Sequence, residues 1–506
     1  VKIALSESYP FWLLTSLAIA LAVIGARIPA LHWLTFFWIL PFAFVLPRLQ
    51  LKQAIIISAF CGIGYWIGST YWLVAANIYF AQSETILVII VFLLFCLWQA
   101  LPYILLGTAY GYFNWNSSHL GPLLAASILT VVWILIPTPI PLIPQNSLYI
   151  YPKFVAVLDL SGISFLLFLS TLFCFSIEYS LRKEARFKKQ YMVLVLAIPL
   201  LMLWYGEIRQ TQLDADKANA KPQQWLHIGY VQPALLHKEK FDLTYHLTEQ
   251  LIQEKSPDLI IWPEIAAPYS FINNEEDRRR TLSLANKYQQ DIIAVSGYVL
   301  TEEQKYDAPT TYYNQAQLIK DGGLQGGYSK EILVPFFEYM PRPLNFLRKW
   351  MPNVLYYKSG KHQQPLSYKD NIKLVMAICY EIIFPEYIRS QVNQGGNIII
   401  NPADDAVFKQ GIGSYYHLST AYFRSIENRV PWVRSTNTGV SIIVAADGKP
   451  LTRASELGQV GAASTQVFIP LKASVYSRFG DVFTVLLLVV WLLYYALRKL
   501  YSVKQR

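Results

Sequence analysis

Apolar positions come first in long unbroken runs and then in short alternating ones. Residues 11–27, 31–47, 54–76, 85–107, 121–138, 159–179 and 190–206 are apolar stretches near the roughly 17–25 residues that cross a lipid core as a helix, and 481–497 is one more. A multi-pass helical domain of about eight spans is expected on that length criterion. Gly62, Gly64 and Gly68 weaken the third run, and Pro137, Pro139, Pro141 and Pro144 close the fifth. Beyond 207 the pattern changes. Short runs rich in β-branched residues, at Leu226–Val231, Leu259–Trp262, Ile292–Gly297, Leu374–Ile378, Ile398–Ile400, Trp432–Arg434 and Ser441–Val444, read as strands. Between them lie amphipathic stretches at 240–254, 274–289 and 414–428. Such alternation predicts an α/β domain with a sizeable sheet. The layout expected is a transmembrane domain over 1–206, a linker over 207–224, an extramembrane domain over 225–470, and a final span with its tail over 471–506.

Charge sharpens that layout. Only 15% of residues are charged, against about 25% in a soluble domain. The net charge of +10 would suit nucleic acid, but no zinc-finger spacing, phosphate-binding glycine loop or long basic run accompanies it. The cations gather instead at membrane edges, most densely at Arg182, Lys183, Arg186, Lys188 and Lys189. Placing these and the final tail in the cytoplasm puts the α/β domain outside. The first run leads straight into the second, so it is expected as an uncleaved anchor rather than a signal peptide. Glu84, Asp159 and Glu178 fall near helix ends and are expected as solvated interfacial charges, with no ionisable chain for an ion-coupled transporter. Trp12, Trp33, Trp38, Trp66, Trp72, Trp98 and Trp115 are expected in interfacial belts.

Candidate chemistry lies in the α/β part, where polar residues follow strands. Cys61, Cys96 and Cys174 fall in apolar runs, which leaves Cys379 as that part's one thiol and excludes a disulfide there. Cys379 follows the strand Leu374–Ile378, and a thiol held at a rigid strand end suits nucleophilic attack on a carbonyl. In Ile261-Trp262-Pro263-Glu264 the proline fixes the backbone just past a strand, holding a poorly solvated carboxylate suited to a general base. Lys330, past the hairpin turn Asp321-Gly322-Gly323, can stabilise an oxyanion and favour a thiolate. Glu338, flanked by Phe336, Phe337 and Tyr339, needs a partner among those rings, and Lys330 is the candidate.

Glu264 after Trp-Pro, Lys330 in Tyr-x-Lys before Leu-Val-Pro-Phe, and Cys379 in Cys-Tyr-Glu resemble the Glu-Lys-Cys triad of the nitrilase, or carbon–nitrogen hydrolase, superfamily. With seven preceding spans and one following, the layout is similar to the apolipoprotein N-acyltransferase family. Supporting stretches are Asn401-Pro402-Ala403-Asp404-Asp405, Arg424–Arg429 and Asn437-Thr438-Gly439-Val440-Ser441. The resemblance implies an αββα sandwich, a bacterial inner-membrane location with the domain on the periplasmic side, and no metal or cofactor. It implies a phospholipid acyl donor, a thioester on Cys379, and a diacylglyceryl-cysteine of an apolipoprotein as acceptor. Glu338, Tyr380 and Glu381 are implied as active-site support, with Phe241, Trp262, Tyr328, Phe337 and Asn401 as possible substrate-binding residues. A monomer is expected, and loops over 340–365 are expected to admit substrate. Departures from the pattern keep a second acceptor open, as in a membrane-tethered amidase or another acyltransferase. Phe241 stands where tryptophan is usual, Phe337 replaces glycine in Pro-Phe-Gly-Glu, Val407-Phe408-Lys409 replaces Trp-Phe-Gly, and Pro137-Thr138-Pro139-Ile140-Pro141 replaces Gly-Phe-Pro-Trp. A non-catalytic scaffold is the third class, ranked last because all three triad residues are present.

Overall fold

The computed structural model describes residues 5–80, 84–183, 185–235, 239–266, 274–299, 312–361, 364–369, 371–409 and 411–504. Two compact units emerge, one of residues 1–71, 91–209 and 474–506, the other of residues 72–90 and 210–473.

The first unit is helical. Among the described residues, five helical stretches are long and apolar enough to cross a bilayer: Pro10–Arg27, Pro29–Arg48, Leu51–Thr70, Leu158–Leu181 and Lys188–Ala218. Thr85–Gln99 with Leu101–Tyr112 makes a sixth if a 42° bend is allowed, while Gly121–Leu135 and Val482–Leu493 are apolar but shorter. The breaks follow proline chemistry: Pro102 sits at the bend, and the helix ending at Leu135 stops before Pro137. Gly162, at φ 70°, interrupts Leu158–Leu181 where any Cβ would strike the Tyr476 ring at 2.7 Å.

Four expectations change here. The third apolar run is two helices, Leu51–Thr70 and Trp72–Phe80, and the latter belongs to the second unit. Residues 207–218, expected as linker, continue the helix Lys188–Ala218, because Glu, Gln, Arg, Lys and Ala are good helix formers. Asp159 and Glu178 are buried and paired rather than solvated: Arg209 lies 2.9 Å from Asp159 and Arg182 2.8 Å from Glu178. Trp38, Trp66 and Trp115 are likewise buried rather than interfacial. Trp38 and Trp66 pack with Tyr65, Tyr103 and Trp133 at centroid distances of 5.2–6.3 Å. Apolar runs alone do not tell a lipid-facing tryptophan from one packed between helices.

The second unit carries the sheets. Its strands are β1 (Trp225–Gln232), β2 (Leu259–Ile261), β3 (Asp291–Val299), β4 (Tyr312–Lys320), β5 (Gly323–Ser329), β6 (Leu366–Lys369), β7 (Ile372–Met376), β8 (Ile398–Ala403), β9 (Trp432–Thr436), β10 (Ile442–Val444) and β11 (Gly461–Phe468). One sheet has the order β11-β1-β2-β3-β4-β5, the other β10-β9-β8-β7-β6. Alternation of side chains builds the layers. Leu259 and Ile261 join Ile293, Val295, Leu374, Met376, Ile398, Ile400 and Val433 in a core between the two sheets. Ile260, Ile292 and Ala294 point the other way, onto a core closed by the helices Glu239–Lys255 and Glu275–Tyr288. On the second sheet's outer face the helix Ile412–Asn428 sets Tyr422 edge-on to Trp432 at 5.3 Å. The result is the αββα sandwich expected from the triad resemblance.

Strand direction places the chemistry. β1, β2 and β3 run parallel, and two antiparallel steps through β4 return β5 to the same direction. β7, β8 and β9 are parallel to one another. Glu264 follows β2, Lys330 follows β5, Cys379 follows β7 and Asp404 follows β8. Each lies just past a strand's carboxyl end.

Candidate active site

Lys330 is 1% exposed, and two carboxylates share its ammonium: Glu338 Oε1 at 2.8 Å and Glu264 Oε1 at 3.3 Å. Burying three such groups costs several kcal/mol unless their remaining lone pairs and protons find partners. Here they do. Asn314 donates its amide to Glu264 Oε1 at 2.6 Å, and the Asp404 N–H donates to Glu264 Oε2 at 2.8 Å. The Val334 N–H donates to Glu338 Oε2 at 2.7 Å. Burial works against the Lys330 ammonium, but the attraction of Glu264 and then Glu338 outweighs it and leaves the group harder to deprotonate than an ordinary lysine. Burial pushes the Glu338 carboxyl up despite Lys330.

Cys379 opens the short turn Cys379–Ile383 and stands at φ 51°, a left-handed conformation that costs a residue with a Cβ about 1–2 kcal/mol. Ile265, next to Glu264, is also left-handed at φ 52°, as is Phe336 at φ 65°. Strain of this kind concentrates where a structure must aim a side chain. The thiol is pushed well above the ordinary cysteine range, first by burial and then by the charge of Glu264, with Lys330 opposing. At rest the sulfur therefore keeps its proton, and a nearby carboxylate must take it as attack begins.

Glu381 ties the two sheets' loops together. It is fully buried, and it accepts from Tyr328 Oη at 2.7 Å, Glu331 N at 2.6 Å, Ile332 N at 3.0 Å and Ile378 N at 2.7 Å. Burial raises its carboxyl to about 7 against those donors. One side chain thus fixes both the segment after Lys330 and the residue before Cys379. Tyr380 stacks edge-on with Phe384 at 4.9 Å.

Of the residues offered for substrate binding, several are scaffold. Trp262 is fully buried and donates its indole N–H to Thr248 at 2.9 Å; Phe241 lies edge-on to it at 6.0 Å, inside the helix–sheet core. Tyr328 is buried on Glu381 and contacts the Tyr387 hydroxyl. Asn401 is buried, donating to Ala377 O at 2.6 Å and accepting from Arg434 at 2.5 Å. Phe337 is half-buried. The left-handed residue of its turn is Phe336, so the glycine replaced at 337 is not needed for backbone freedom there.

Sequence reading missed a second charged group on Cys379. His417 Nε2 lies 2.9 Å from the Cys379 carbonyl, its Nδ1 lies 3.0 Å from Asp405 Oδ1, and Arg434 Nη2 donates to both Asp405 oxygens at 2.8 Å. Burial alone would raise the Asp405 carboxyl, but Arg434 and His417 reverse that and hold it below the usual range. Lys240 was also missed: its ammonium, nearly buried, lies 3.8 Å from Asp404, and burial lowers it despite Asp404 and Glu264.

Comparison with known proteins agrees with this geometry. Residues 227–466 match the carbon–nitrogen hydrolase family. Among curated relatives, the apolipoprotein N-acyltransferase of Geobacter metallireducens is 30% identical over 336 residues, covering 64% of this chain and 62% of that one. That of Rhizobium rhizogenes is 33% identical over 241 residues, 44% of each chain. The chain thus spans less than two thirds of the length of these relatives. A crystal structure of a carbon–nitrogen hydrolase from Helicobacter pylori G27 is similar at 19% identity, over 48% of this chain and 89% of that one, with a TM-score of 0.37. The glutamate, lysine and cysteine motifs all lie inside the matched residues 227–466, and it is this part of the chain that is similar to the carbon–nitrogen hydrolase family.

Proposed function

We propose that this protein is an N-acyltransferase that moves a phospholipid's sn-1 acyl chain to the α-amine of a diacylglyceryl-cysteine on an apolipoprotein. The observation that carries the reading is the pairing of Lys330 with Glu264 and Glu338 beside the Cys379 thiol, in a chain whose other unit is built of apolar helices. Both substrates live in lipid, which gives those helices a purpose. The relatives named above are called apolipoprotein N-acyltransferases, which supports the acceptor and the reaction type.

Glu264 takes the Cys379 proton as the sulfur attacks the ester carbonyl. Lys330 Nζ and the Tyr380 N–H hold the oxyanion. Collapse breaks the ester C–O bond, and Glu264 returns the proton to the leaving lysophospholipid oxygen. The thioester is then attacked by the amine, which loses a proton to Glu264 while the C–S bond breaks and the amide forms. Glu338 keeps the lysine in place and charged. We place the domain on the periplasmic side of the bacterial inner membrane, on the strength of the cations between 182 and 189, and the working enzyme as a monomer. Entry of substrate past 340–365 belongs to the same reading.

Full-length protein in detergent, given phospholipid and a diacylated lipopeptide, tests this by mass spectrometry. The expected results are an acyl adduct on Cys379 and a triacylated peptide. An adduct without triacylated peptide would favour the amidase or different-acceptor reading, which the departures at Phe241, Phe337 and 407–409 motivate. No adduct at all would overturn acyl transfer.

A further inference from the structure

The chemistry of acyl transfer uses the Cys379 side chain, yet the most heavily braced atom of that residue is its carbonyl oxygen. We propose that His417, clamped by Asp405 and Arg434, is a positioning residue that holds the Cys379 carbonyl and so keeps the thiol aimed. The proposal rests on Cys379 being the nucleophile.

Cys379 is a non-glycine residue at φ 51°, so its conformation must be imposed by its surroundings. On its N-terminal side Glu381 accepts the Ile378 N–H at 2.7 Å. On its C-terminal side the His417 ring meets the carbonyl at 2.9 Å. A carbonyl only accepts, so Nε2 carries the proton that makes this bond. Nδ1 then donates to Asp405 Oδ1 at 3.0 Å if the ring is charged, or accepts from Arg434 Nη2 at 3.1 Å if it is neutral. Either state leaves the bond to Cys379 intact. The brace works whatever the charge of the ring.

The remaining contacts over-determine the ring. Asp405 is 1% exposed and Arg434 fully buried, and Arg434 Nη1 donates to Asn401 Oδ1 at 2.5 Å, tying the group to the end of β8. Gly439 explains itself here: a Cβ at that position would lie 2.2 Å from Asp405 Oδ2. The stretch Asn437–Ser441 thus supplies a residue without a side chain where the carboxylate needs space. From the other side, Phe408 sits edge-on to the His417 ring at 6.0 Å, and Trp72 edge-on to Phe408 at 4.8 Å.

His417→Leu, His417→Gln and Gly439→Ala in the full-length protein separate positioning from bulk stability. The glutamine amide can donate to the Cys379 carbonyl, whereas leucine cannot. Formation of the acyl adduct from phospholipid should slow on the order of 30-fold in His417→Leu, as expected for a nucleophile misplaced by a fraction of an ångström, and by about threefold or less in His417→Gln. Gly439→Ala, whose new Cβ would press first on Asp405, should slow it about tenfold. Iodoacetamide labelling of Cys379, followed by peptide mapping, gives an arm that needs no acyl transfer. There His417→Leu should change the rate at least threefold and His417→Gln should match wild type. Equal loss in leucine and glutamine variants, tracking melting temperature, would overturn positioning, as would wild-type rates in His417→Leu. If wild type forms no acyl adduct, the acyl-transfer reading fails and the labelling arm alone decides the role of His417.

Discussion

Lys330, Glu264 and Glu338 form one buried ionic group at Cys379, and Arg434, Asp405 and His417 form another. The first sets one ammonium against two carboxylates, so burial wins at Glu338 and its carboxyl rises. The second sets the Arg434 guanidinium, with His417 beside it, against one carboxylate, so Asp405 is held down despite burial. Buried carboxylates shift in opposite directions in the two groups because the ratio of cations to anions differs. A group with spare negative charge can receive a proton. A group whose charge is matched is suited to staying still. The first acts on the sulfur and the second on the backbone of the same residue.

The largest effect expected is that of Cys379→Ala. It should abolish the acyl adduct and product while both ionic groups survive, so unfolding should shift by no more than about 1 kcal/mol. A large loss of stability instead would mean that the sulfur is part of the packing, and that the two groups are not separable from it.

Next come the cations. Lys330→Met and Arg434→Met each strand buried carboxylate charge, a loss of about 3–5 kcal/mol for a pair broken on one side. Their rates should part company. Lys330→Met removes oxyanion stabilisation and should cost about 10³-fold in acyl-adduct formation. Arg434→Met acts through His417 and should cost about 10²-fold at most. Thermal unfolding and single-turnover acylation of each variant supply both numbers. Equal losses in rate would erase the distinction between chemistry and positioning.

Glu381 gives a pH-dependent version of the comparison. Its carboxyl is raised by burial from an ordinary 4.5 to about 7. The folded state therefore binds its proton more tightly than the unfolded chain does. That contribution is fully present below about pH 4.5 and is lost as pH rises through 7, roughly 3 kcal/mol in all. Stability measured by denaturant across this window should fall with rising pH, and Glu381→Gln should flatten the slope. It should also weaken the fold at low pH by about 1–3 kcal/mol, since its NH₂ faces the backbone donors. A slope unchanged in Glu381→Gln would assign the dependence to another group.

The first ionic group and its cysteine were legible in sequence because Glu264, Lys330 and Cys379 each follow a strand and carry a local signature: Trp-Pro-Glu, Tyr-x-Lys and Cys-Tyr-Glu. Even Glu338 announced itself as a carboxylate among Phe336, Phe337 and Tyr339. The second group has no such signature. Asp405 sits on a turn after β8, His417 inside a helix and Arg434 on β9, and only the packing of that helix over the sheet brings them together. A histidine within an amphipathic helix looks like any half-buried polar residue. The sandwich was implied by the triad resemblance rather than by periodicity, since Leu259-Ile260-Ile261 is apolar throughout and its split between two cores is seen only in the fold. Substrate-binding roles for Phe241 and Trp262 were less legible, because large aromatics near a motif fill cores as readily as pockets. Membrane-edge charges erred in the other direction. Asp159 and Glu178 found Arg209 and Arg182, partners fixed by tertiary packing or by one helical turn.

The smallest effect concerns the turn that carries Asp405. Lys409 closes it at φ 46° and is exposed, where the related pattern has glycine. A lysine held in that region costs about 1 kcal/mol relative to glycine. Lys409→Gly should therefore stabilise the protein by no more than about 0.6 kcal/mol, after allowing for the extra freedom of glycine in the unfolded chain. Because Lys409 belongs to neither ionic group, acylation should keep its wild-type rate. A gain in stability with a changed rate would mean that the turn's conformation is transmitted through Asp405 to His417, and that the second group is less rigid than its matched charges imply. Denaturant unfolding and single-turnover acylation of this one variant read both quantities.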